Sequence, residues 1–263
     1  MMLKLQKHEW VIKIITVIIS LAAFCCIWGL AVAFTGIGRA IPGPIEVFRS
    51  FFEHFVVPYG EGTLPLHIFS SLKRVLVGYI AAAIVGVVLG ILMGTYRTVD
   101  AIVSPLFNII RPIPPVAWIP LAILWFGIYD GSKYFLIFLA TFLSVVQNAY
   151  AGAKAADPTL VGAARMLGAD DRHIFTTIIL PGSVPYIAAG LQLGLTSAWA
   201  QVVASEMIRS TEGVGWIIIR GMDNNNALQE LVGILVIGII GFILSSAMRG
   251  VENYLCKWNK RGK

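Results

Sequence analysis

Charged residues are scarce in this chain, and cysteines are few. Only 13% of the 263 residues are Asp, Glu, Lys or Arg, whereas soluble domains average about 25%. The hydrophobic share is 57% and the mean hydropathy is +0.81, which excludes both a soluble globule and a disordered chain. The 3 cysteines are too few for a disulfide scaffold, and their spacing does not suit a metal site. The composition therefore indicates an integral membrane protein.

Sequence signatures of nucleotide binding and of hydrolysis are also missing. The chain has no G-x-x-x-x-G-K-[ST] run, so it lacks a phosphate-binding loop of that kind. None of its 4 histidines belongs to an H-E-x-x-H pattern or lies within a long apolar run, which argues against an intramembrane enzyme. We predict no catalytic residue, no metal site and no cofactor in this chain. The net charge of +6 is attributed to Lys and Arg flanking membrane spans rather than to a nucleic-acid surface.

Six apolar segments are long enough to cross a bilayer as helices, which takes about 20 residues each. We predict an all-α polytopic membrane protein that forms one transmembrane domain over residues 1–263. The predicted spans are residues 12–34, 75–96, 102–129, 134–152, 185–208 and 231–249. The first is interpreted as a span rather than a signal peptide, because its apolar run exceeds the usual length of about 7–15 residues.

Lys and Arg are distributed unevenly between alternate loops. Both terminal segments, residues 97–100 and the long loop 153–184 together carry more of them than the remaining loops do. Because positive residues accumulate on the cytoplasmic side, we expect both termini and the loop 153–184 in the cytoplasm. A surface helix is predicted around Ile45–Phe55, on the opposite side of the membrane.

Small residues recur every four positions in the second span, which places them on one helical face. Membrane helices approach one another closely along such strips, so the strip is predicted to serve helix packing. Its glycines are Gly78, Gly86, Gly90 and Gly94.

The third span contains the run Arg111–Pro115, which should break the helix because each proline removes a backbone donor. A break at membrane depth is stable only inside protein or beside water. Two interpretations of Arg111 stay open: its side chain reaches the inner headgroups, or it lines a translocation pathway.

Other polar side chains in the spans have the same two interpretations, hydrogen bonding between helices or lining a pathway. They are Gln147, Asn148, Gln201 and Glu206. For Glu206, a surface contact with Arg209 three residues later is also expected.

The loop 153–184 predicts two short helices. Asp157 should cap the first, with Pro158 in its first turn, and Gly168 should end it in the left-handed conformation. Asp170 should start the second helix, and Pro181 should stop it. The first helix would present a small apolar face that needs a partner.

The same loop resembles the EAA loop of ABC-importer permeases. That pattern is Glu-Ala-Ala, three residues, Gly, nine residues and Ile-x-Leu-Pro, and Gly162–Gly168 followed by Ile178–Pro181 matches it in register. The departure is Gly162, where the family usually has Glu. The resemblance implies that a coupling helix at about 158–167 contacts a separate ATPase. The coupling residues it implies are Pro158, Leu160, Gly162, Ala163, Ala164, Leu167, Gly168, Ala169 and Pro181.

Further segments look like the permease subgroup that serves nitrate, taurine, alkanesulfonates and bicarbonate. They are Ile41–Pro44, Ser71–Val75, Arg111–Pro120, Trp125–Gly127 and Gly213–Trp216. The resemblance implies a type I importer permease fold in a bacterial cytoplasmic membrane. It also implies a permease homodimer, two cytoplasmic ATP-binding subunits that hold ATP and Mg, and an extracytoplasmic substrate-binding protein.

The substrate interpretation has alternatives. A small anion is favoured by the resemblance and by Arg111, whose positive charge would attract anions in a low-dielectric passage. Related permeases resemble carriers of riboflavin or of pyrimidine thiamin precursors, so a neutral heteroaromatic is the second hypothesis. A channel or secondary transporter that needs no ATPase is a remote third.

Overall fold

The computed structural model describes residues 2–60, 62–208 and 210–256, and this part of the chain is helical without β-strands. The apolar runs and the prolines of the sequence explain most of the helix boundaries. The α-helices are α1 (Met2–Phe34), α2 (Pro44–Glu53), α3 (Leu64–Thr95), α4 (Arg97–Ile110), α5 (Ile119–Phe126), α6 (Asp130–Lys154), α7 (Pro158–Met166), α8 (Asp171–Ile174), α9 (Leu180–Glu206), α10 (Val214–Asp223) and α11 (Ala227–Leu255).

Membrane spans account for most of these helices. In the described part of the chain, five helical stretches are long and apolar enough to cross a bilayer, and a bent pair makes a sixth. The five are Ile15–Phe34, Leu64–Thr95, Asp130–Lys154, Asp171–Glu206 and Ala227–Leu255. The prediction of an all-α polytopic membrane protein is confirmed. Several helices extend past the apolar runs; α3 begins at Leu64, for example, because Pro65 fits a first helical turn.

The bent pair is the predicted third span. Helix α4 ends at Ile110, a 3₁₀ turn follows at Pro115–Trp118, and the helical segments on either side are bent by 86°. Pro112, Pro114 and Pro115 cannot donate the backbone hydrogen bonds that would continue α4. The predicted break at Arg111–Pro115 is therefore confirmed.

The expectation that Pro181 stops a helix is wrong. The helical run from Asp171 to Glu206 passes through both Pro181 and Pro185. A π-helical stretch, Phe175–Ile179, lies just before Leu180 and Pro181. Its wider turn relieves the clash of the proline ring with the carbonyl four residues earlier, so the chain stays helical through Pro181. The predicted start of this span at residue 185 is therefore too late.

The described residues form two compact units. The first comprises residues of 1–64 with 217–234, and the second comprises residues of 65–216 with 235–256. In the first unit, helix α2 is the predicted surface helix, with Val47 and Ser50 buried and Ile45 and Phe52 exposed. The proposal of one domain over the whole chain stays a prediction.

Helix α6 is the centre of the second unit. It is flanked on one side by the glycine strip of α3, with the backbone or side chains of α6 directly against Gly78, Gly86, Gly90 and Gly94. On the other side, Gly190 and Gly194 bring α9 equally close. Because glycines on both neighbours admit this close approach, α6 is mostly buried although it spans the membrane.

Candidate functional site

Helix α7 is a short helix in the loop 153–184 with defined caps. The Asp157 side chain accepts a hydrogen bond from the backbone N–H of Thr159 at 2.8 Å, and Pro158 occupies the first turn. Asp170 caps the next helix in the same way, accepting from the N–H of His173 at 2.8 Å. These bonds satisfy backbone donors that a helix start leaves open. The two predicted helix starts in this loop are confirmed.

The end of α7 is a Schellman motif. The N–H of Ala169 donates to the carbonyl of Ala164 at 3.0 Å, and the N–H of Gly168 donates to Arg165 at 3.0 Å. Gly168 has φ of +86°, a left-handed conformation that glycine adopts without steric strain. Helix α7 therefore ends at Gly168 in the left-handed conformation, as the sequence predicts.

No residue of α7 is buried, and its apolar side chains face outward. Met166 and Leu167 are 91% and 89% exposed, and Leu160 is exposed as well. An open groove beside them is lined by Ala164, Leu167–Asp170 and His173. Such an apolar surface on a rigid, capped helix is typical of a docking site. A Cβ atom added at Gly162 would meet nothing within 4 Å.

A second set of residues forms a buried ionic cluster at the other end of α6. Arg74 of α3 donates through Nε to Asp130 Oδ1 at 2.8 Å, through Nη1 to Glu206 Oε1 at 2.8 Å and through Nη2 to Glu212 Oε1 at 2.9 Å. Both Arg74 and Glu206 are buried. Ser71 adds hydrogen bonds to both Glu206 oxygens at 2.9 and 2.8 Å. Arg74 therefore links α3 to the start of α6, the end of α9 and the segment after it.

The same cluster fixes the turn that leads into α10. Glu206 Oε2 accepts from the N–H of Gly215 at 3.1 Å, and Ser71 Oγ accepts from the N–H of Val214 at 2.9 Å. The N–H of Gly213 donates to His67 Nδ1 at 3.1 Å, and the His67 ring stacks on Trp216. The start of α10 is thus held by side chains of α3 and α9. Lys133 completes the cluster, bonding Ser210 at 3.0 Å and Asp130 at 3.3 Å.

The expected surface contact of Glu206 is wrong, because its carboxylate is buried and bonded to α3 and to the backbone of Gly215. A position near the end of an apolar span suggested exposure, but a buried arginine on a neighbouring helix provides the opposite charge instead. Arg209, the partner expected from the sequence, lies outside the described residues.

Comparison with known proteins decides the family. A family described as "Binding-protein-dependent transport system inner membrane component" matches residues 86–258 of this chain. The chain belongs to this family. The permease is thus a multi-pass transport component of an ABC transporter, in which a separate subunit hydrolyses ATP and a binding protein delivers the solute.

Several curated relatives of the permease are ABC transporter permeases, and some are named for the solute they transport. A Brucella abortus (strain 2308) protein named "Probable ABC transporter permease protein" is 39% identical, covering 84% of this chain and 87% of its own. The taurine transport system permease TauC of Escherichia coli (strain K12) is 36% identical, covering 83% and 80%. The nitrate import permease NrtB of Synechocystis sp. is 30% identical, covering 92% and 89%. The expected resemblance to the nitrate and taurine subgroup is confirmed.

A solved structure shares the fold. The permease aligns with a chain of the inward-facing MetNI methionine ABC transporter with a TM-score of 0.62 and 18% identity, covering 73% of this chain and 95% of that one. The predicted type I importer permease fold is confirmed.

The predicted pathway residues of the permease lie on three helices: Arg111 at the end of α4, Gln147 and Asn148 on α6, and Gln201 and Glu206 on α9. Arg111 is exposed at the end of α4, and Gln147 is exposed on α6. The Asn148 amide donates to the carbonyl of Ser144 in its own helix at 2.8 Å. Gln201 is buried on α9, and its Nε2 has no hydrogen-bond partner in the described part of the chain. Their role in a pathway stays a prediction, as does that of Glu206.

Sequence reasoning missed the Arg74 cluster. Arg74 stands at the edge of an apolar run and Glu206 at the edge of another, so each alone suggests a residue at the membrane surface. The sequence did contain a signal for this cluster. Charged residues of both signs lie at the same side of the predicted spans, and they are Arg74, Asp130, Lys133, Glu206 and Glu212. Opposite charges at one membrane depth favour pairing.

Proposed function

We propose that this permease pairs with a second copy of itself and imports a small anion, driven by two ATP-binding subunits that dock on α7. A binding protein on the outer side would deliver the anion, and both termini would lie in the cytoplasm. The exposed apolar surface of α7 is the observation that carries this proposal, because coupling to a separate ATPase requires a surface on which that subunit can dock.

Transmission of motion follows from the connections of α7. Helix α7 starts four residues after the end of α6, with Asp157 capping it, and Pro181 continues the chain into α9. Helices α6 and α9 pack closely through Gly190 and Gly194. A displacement of α7 by the ATP-binding subunits would therefore reach both helices at the centre of the second unit. The residues proposed to take part are the coupling residues named from the sequence.

An anionic substrate is supported by the relatives named for taurine and nitrate transport. Both solutes carry an anionic group of delocalised charge, which guanidinium groups and amide donors recognise well. Arg111 at the break of the third span and the buried Gln201 amide offer such groups.

Co-purification tests the docking surface. We expect the tagged permease to retain the ATP-binding subunit encoded beside it, and Leu167→Glu to lower that retention by about tenfold or more, because an unpaired charge would be buried in the contact. Leu167 is 89% exposed, so the change should not disturb the permease itself. Ala155→Glu is the matched control, since it adds the same charge to an exposed site outside α7.

Calorimetry on the binding protein recovered with the complex tests the substrate. We expect heat of binding with nitrate, taurine or bicarbonate. Heat only with riboflavin or a pyrimidine would keep the importer and move its substrate to a neutral heteroaromatic.

In the co-purification experiment, full retention of the ATP-binding subunit by Leu167→Glu would contradict the docking role of α7.

A further inference from the structure

Helix α4 has three distinct faces. Its packing face, Val99, Val103, Phe107 and Ile110, lies against a core that includes Leu139, Leu143 and Val146 of α6. Its second face is apolar and exposed, with Ile102, Leu106 and Ile109 at 65%, 62% and 68%. The third face is polar and comprises Arg97, Asp100, Ser104, Asn108 and Arg111, spaced three or four residues apart. The helical repeat aligns these five residues into one stripe.

The polar stripe crosses a large part of the membrane. Arg97 and Arg111 are fourteen positions apart, about 21 Å along a helix axis, against about 30 Å for a hydrocarbon core. Helix α4 runs antiparallel beside α6, because Asp100 contacts Tyr150 and Lys154 whereas Phe107 packs in a cluster with Leu139 and Leu143. Since α6 spans the membrane, the stripe cannot lie wholly among headgroups.

An open groove runs along the stripe. It is lined by Arg97, Asp100, Ala101, Ser104, Pro105 and Asn108 of α4, with Tyr150 of α6 opposite. Gln147 is exposed one turn from Tyr150 on α6, so it extends the polar surface of that helix. Polar side chains at membrane depth face either protein or water, and this groove is not filled by described residues of the chain.

The charge of the stripe is positive at both ends and neutralised between them. Asp100 accepts from Lys154 Nζ at 2.9 Å, from the Tyr150 hydroxyl at 3.1 Å and from the Ser104 hydroxyl. Its carboxylate is thereby compensated, while Arg97 and Arg111 are exposed. The groove therefore presents uncompensated positive charge and no uncompensated negative charge among its described α4 side chains.

We propose that the polar stripe of α4 is the inner wall of an aqueous exit path for an anion, and that Lys154 keeps the Asp100 carboxylate from repelling it. This rests on the proposed anion import, and it assigns the substrate-facing surface to α4. The apolar face with Ile102, Leu106 and Ile109 faces lipid.

Cysteine labelling tests the path without any transport assay. In a permease whose Cys25, Cys26 and Cys256 are replaced by serine, single substitutions Ser104→Cys and Asn108→Cys are compared with Ile102→Cys and Leu106→Cys. The probe is sulfonatoethyl methanethiosulfonate, an anionic reagent that does not cross membranes, applied to inside-out vesicles. We expect the first pair to react at least about tenfold faster, because the reactive thiolate forms only where water reaches it.

Equal rates on the two faces, or labelling of the apolar face alone, would overturn the proposal. Spontaneous disulfide formation between two copies at Asn108→Cys, without labelling, would also overturn it and make the stripe a contact between permeases. If the labelling is as expected but the permease imports no anion, the result contradicts the proposed function and leaves the aqueous path along α4 in place.

Charge selectivity of labelling tests the role of Lys154. The cationic counterpart of the reagent is trimethylammonioethyl methanethiosulfonate. At Asn108→Cys, the ratio of the anionic to the cationic labelling rate should be higher than the same ratio measured with free cysteine. Lys154→Met should lower this ratio by about threefold or more, since a carboxylate is left uncompensated beside the path. Adding Asp100→Asn should restore it. If the double variant stays as low as Lys154→Met, Lys154 does not act by compensating Asp100, and this part of the proposal is wrong.

Discussion

At the scale of single residues, Arg74 and Glu206 are charged groups that the described part of the permease buries almost completely. Charges inside a membrane protein are tolerated when each finds a partner and its remaining hydrogen-bonding sites are satisfied. Arg74 has acceptors on three sides, and Glu206 receives donors from Arg74, Ser71 and Gly215. Removing Arg74 leaves the buried Glu206 carboxylate without its ion-pair partner. Removing the charge of Glu206 leaves Arg74 with only the half-exposed carboxylates of Asp130 and Glu212 and takes away its buried counter-ion.

Glu206→Gln should therefore destabilise the permease strongly. Breaking a buried ion pair from one side costs about 3–5 kcal/mol, so we expect a large drop in the thermal unfolding temperature in detergent. Glu212→Gln is the matched control, because Glu212 bonds the same arginine with its side chain 43% exposed. A median exposed pair is worth about 0–1 kcal/mol, so the control should lose little. Equal losses would contradict a special role for burial at Glu206.

Some residue roles could be read from the sequence and others could not. Asp157, Gly168 and Asp170 were predictable because a helix cap depends on neighbours within three residues. The partner of Glu206 could not be predicted in this way, since Arg74 lies 132 positions away and only the packing of α3 against α9 brings them together.

At the scale of helices, the glycine strip of α3 determines how closely α6 can lie. A Cβ atom added at Gly90 would stand 2.6 Å from the carbonyl oxygen of Val146 and 2.7 Å from the Cβ of Ala149. Without a hydrophobic force between membrane helices, such close contact is the main source of their association. The spacing of the strip predicted a packing face, but only the structure shows that α6 is the neighbour.

Gly90→Val should therefore lower the yield of folded permease by pushing α3 from α6, at a cost of about 1–3 kcal/mol or more from overpacking. Gly238→Val on α11 is the control, because an added Cβ there meets nothing within 4 Å. Monodisperse protein recovered by size exclusion in detergent measures the difference. Similar recovery of the two variants would mean that α3 and α6 can separate without loss.

Prolines show the limit of reading helices from sequence. The cluster at Pro112–Pro115 breaks a span as predicted, because several donors are lost in one turn. Pro181 does not end a helix, since the π-helical turn at Phe175–Ile179 accommodates it. The difference depends on whether the preceding turn can widen, and local propensity does not determine that.

At the scale of the whole molecule, helix α6 connects the Arg74 cluster with the proposed coupling helix. Asp130 belongs to the Arg74 cluster at one end, and Lys154 contacts Asp100 at the other, about 36 Å away along the helix axis. Helix α7, the proposed coupling helix, follows four residues later. In the proposed mechanism, force would be applied at the α7 end of α6, while the ion pair of Asp130 with Arg74 holds the other end against α3. Composition predicted the membrane class, and one loop motif predicted the family, because both depend on residues close in sequence.

Transport in proteoliposomes tests most directly the proposal that α7 couples an ATPase to import. The permease would be reconstituted with its ATP-binding subunit and binding protein, and uptake of radiolabelled taurine or nitrate would be measured with and without ATP. We predict ATP-dependent uptake that Leu167→Glu abolishes and Ala155→Glu preserves. Uptake that needs no ATP, or that Leu167→Glu leaves intact, would contradict the claim that α7 couples an ATPase to import.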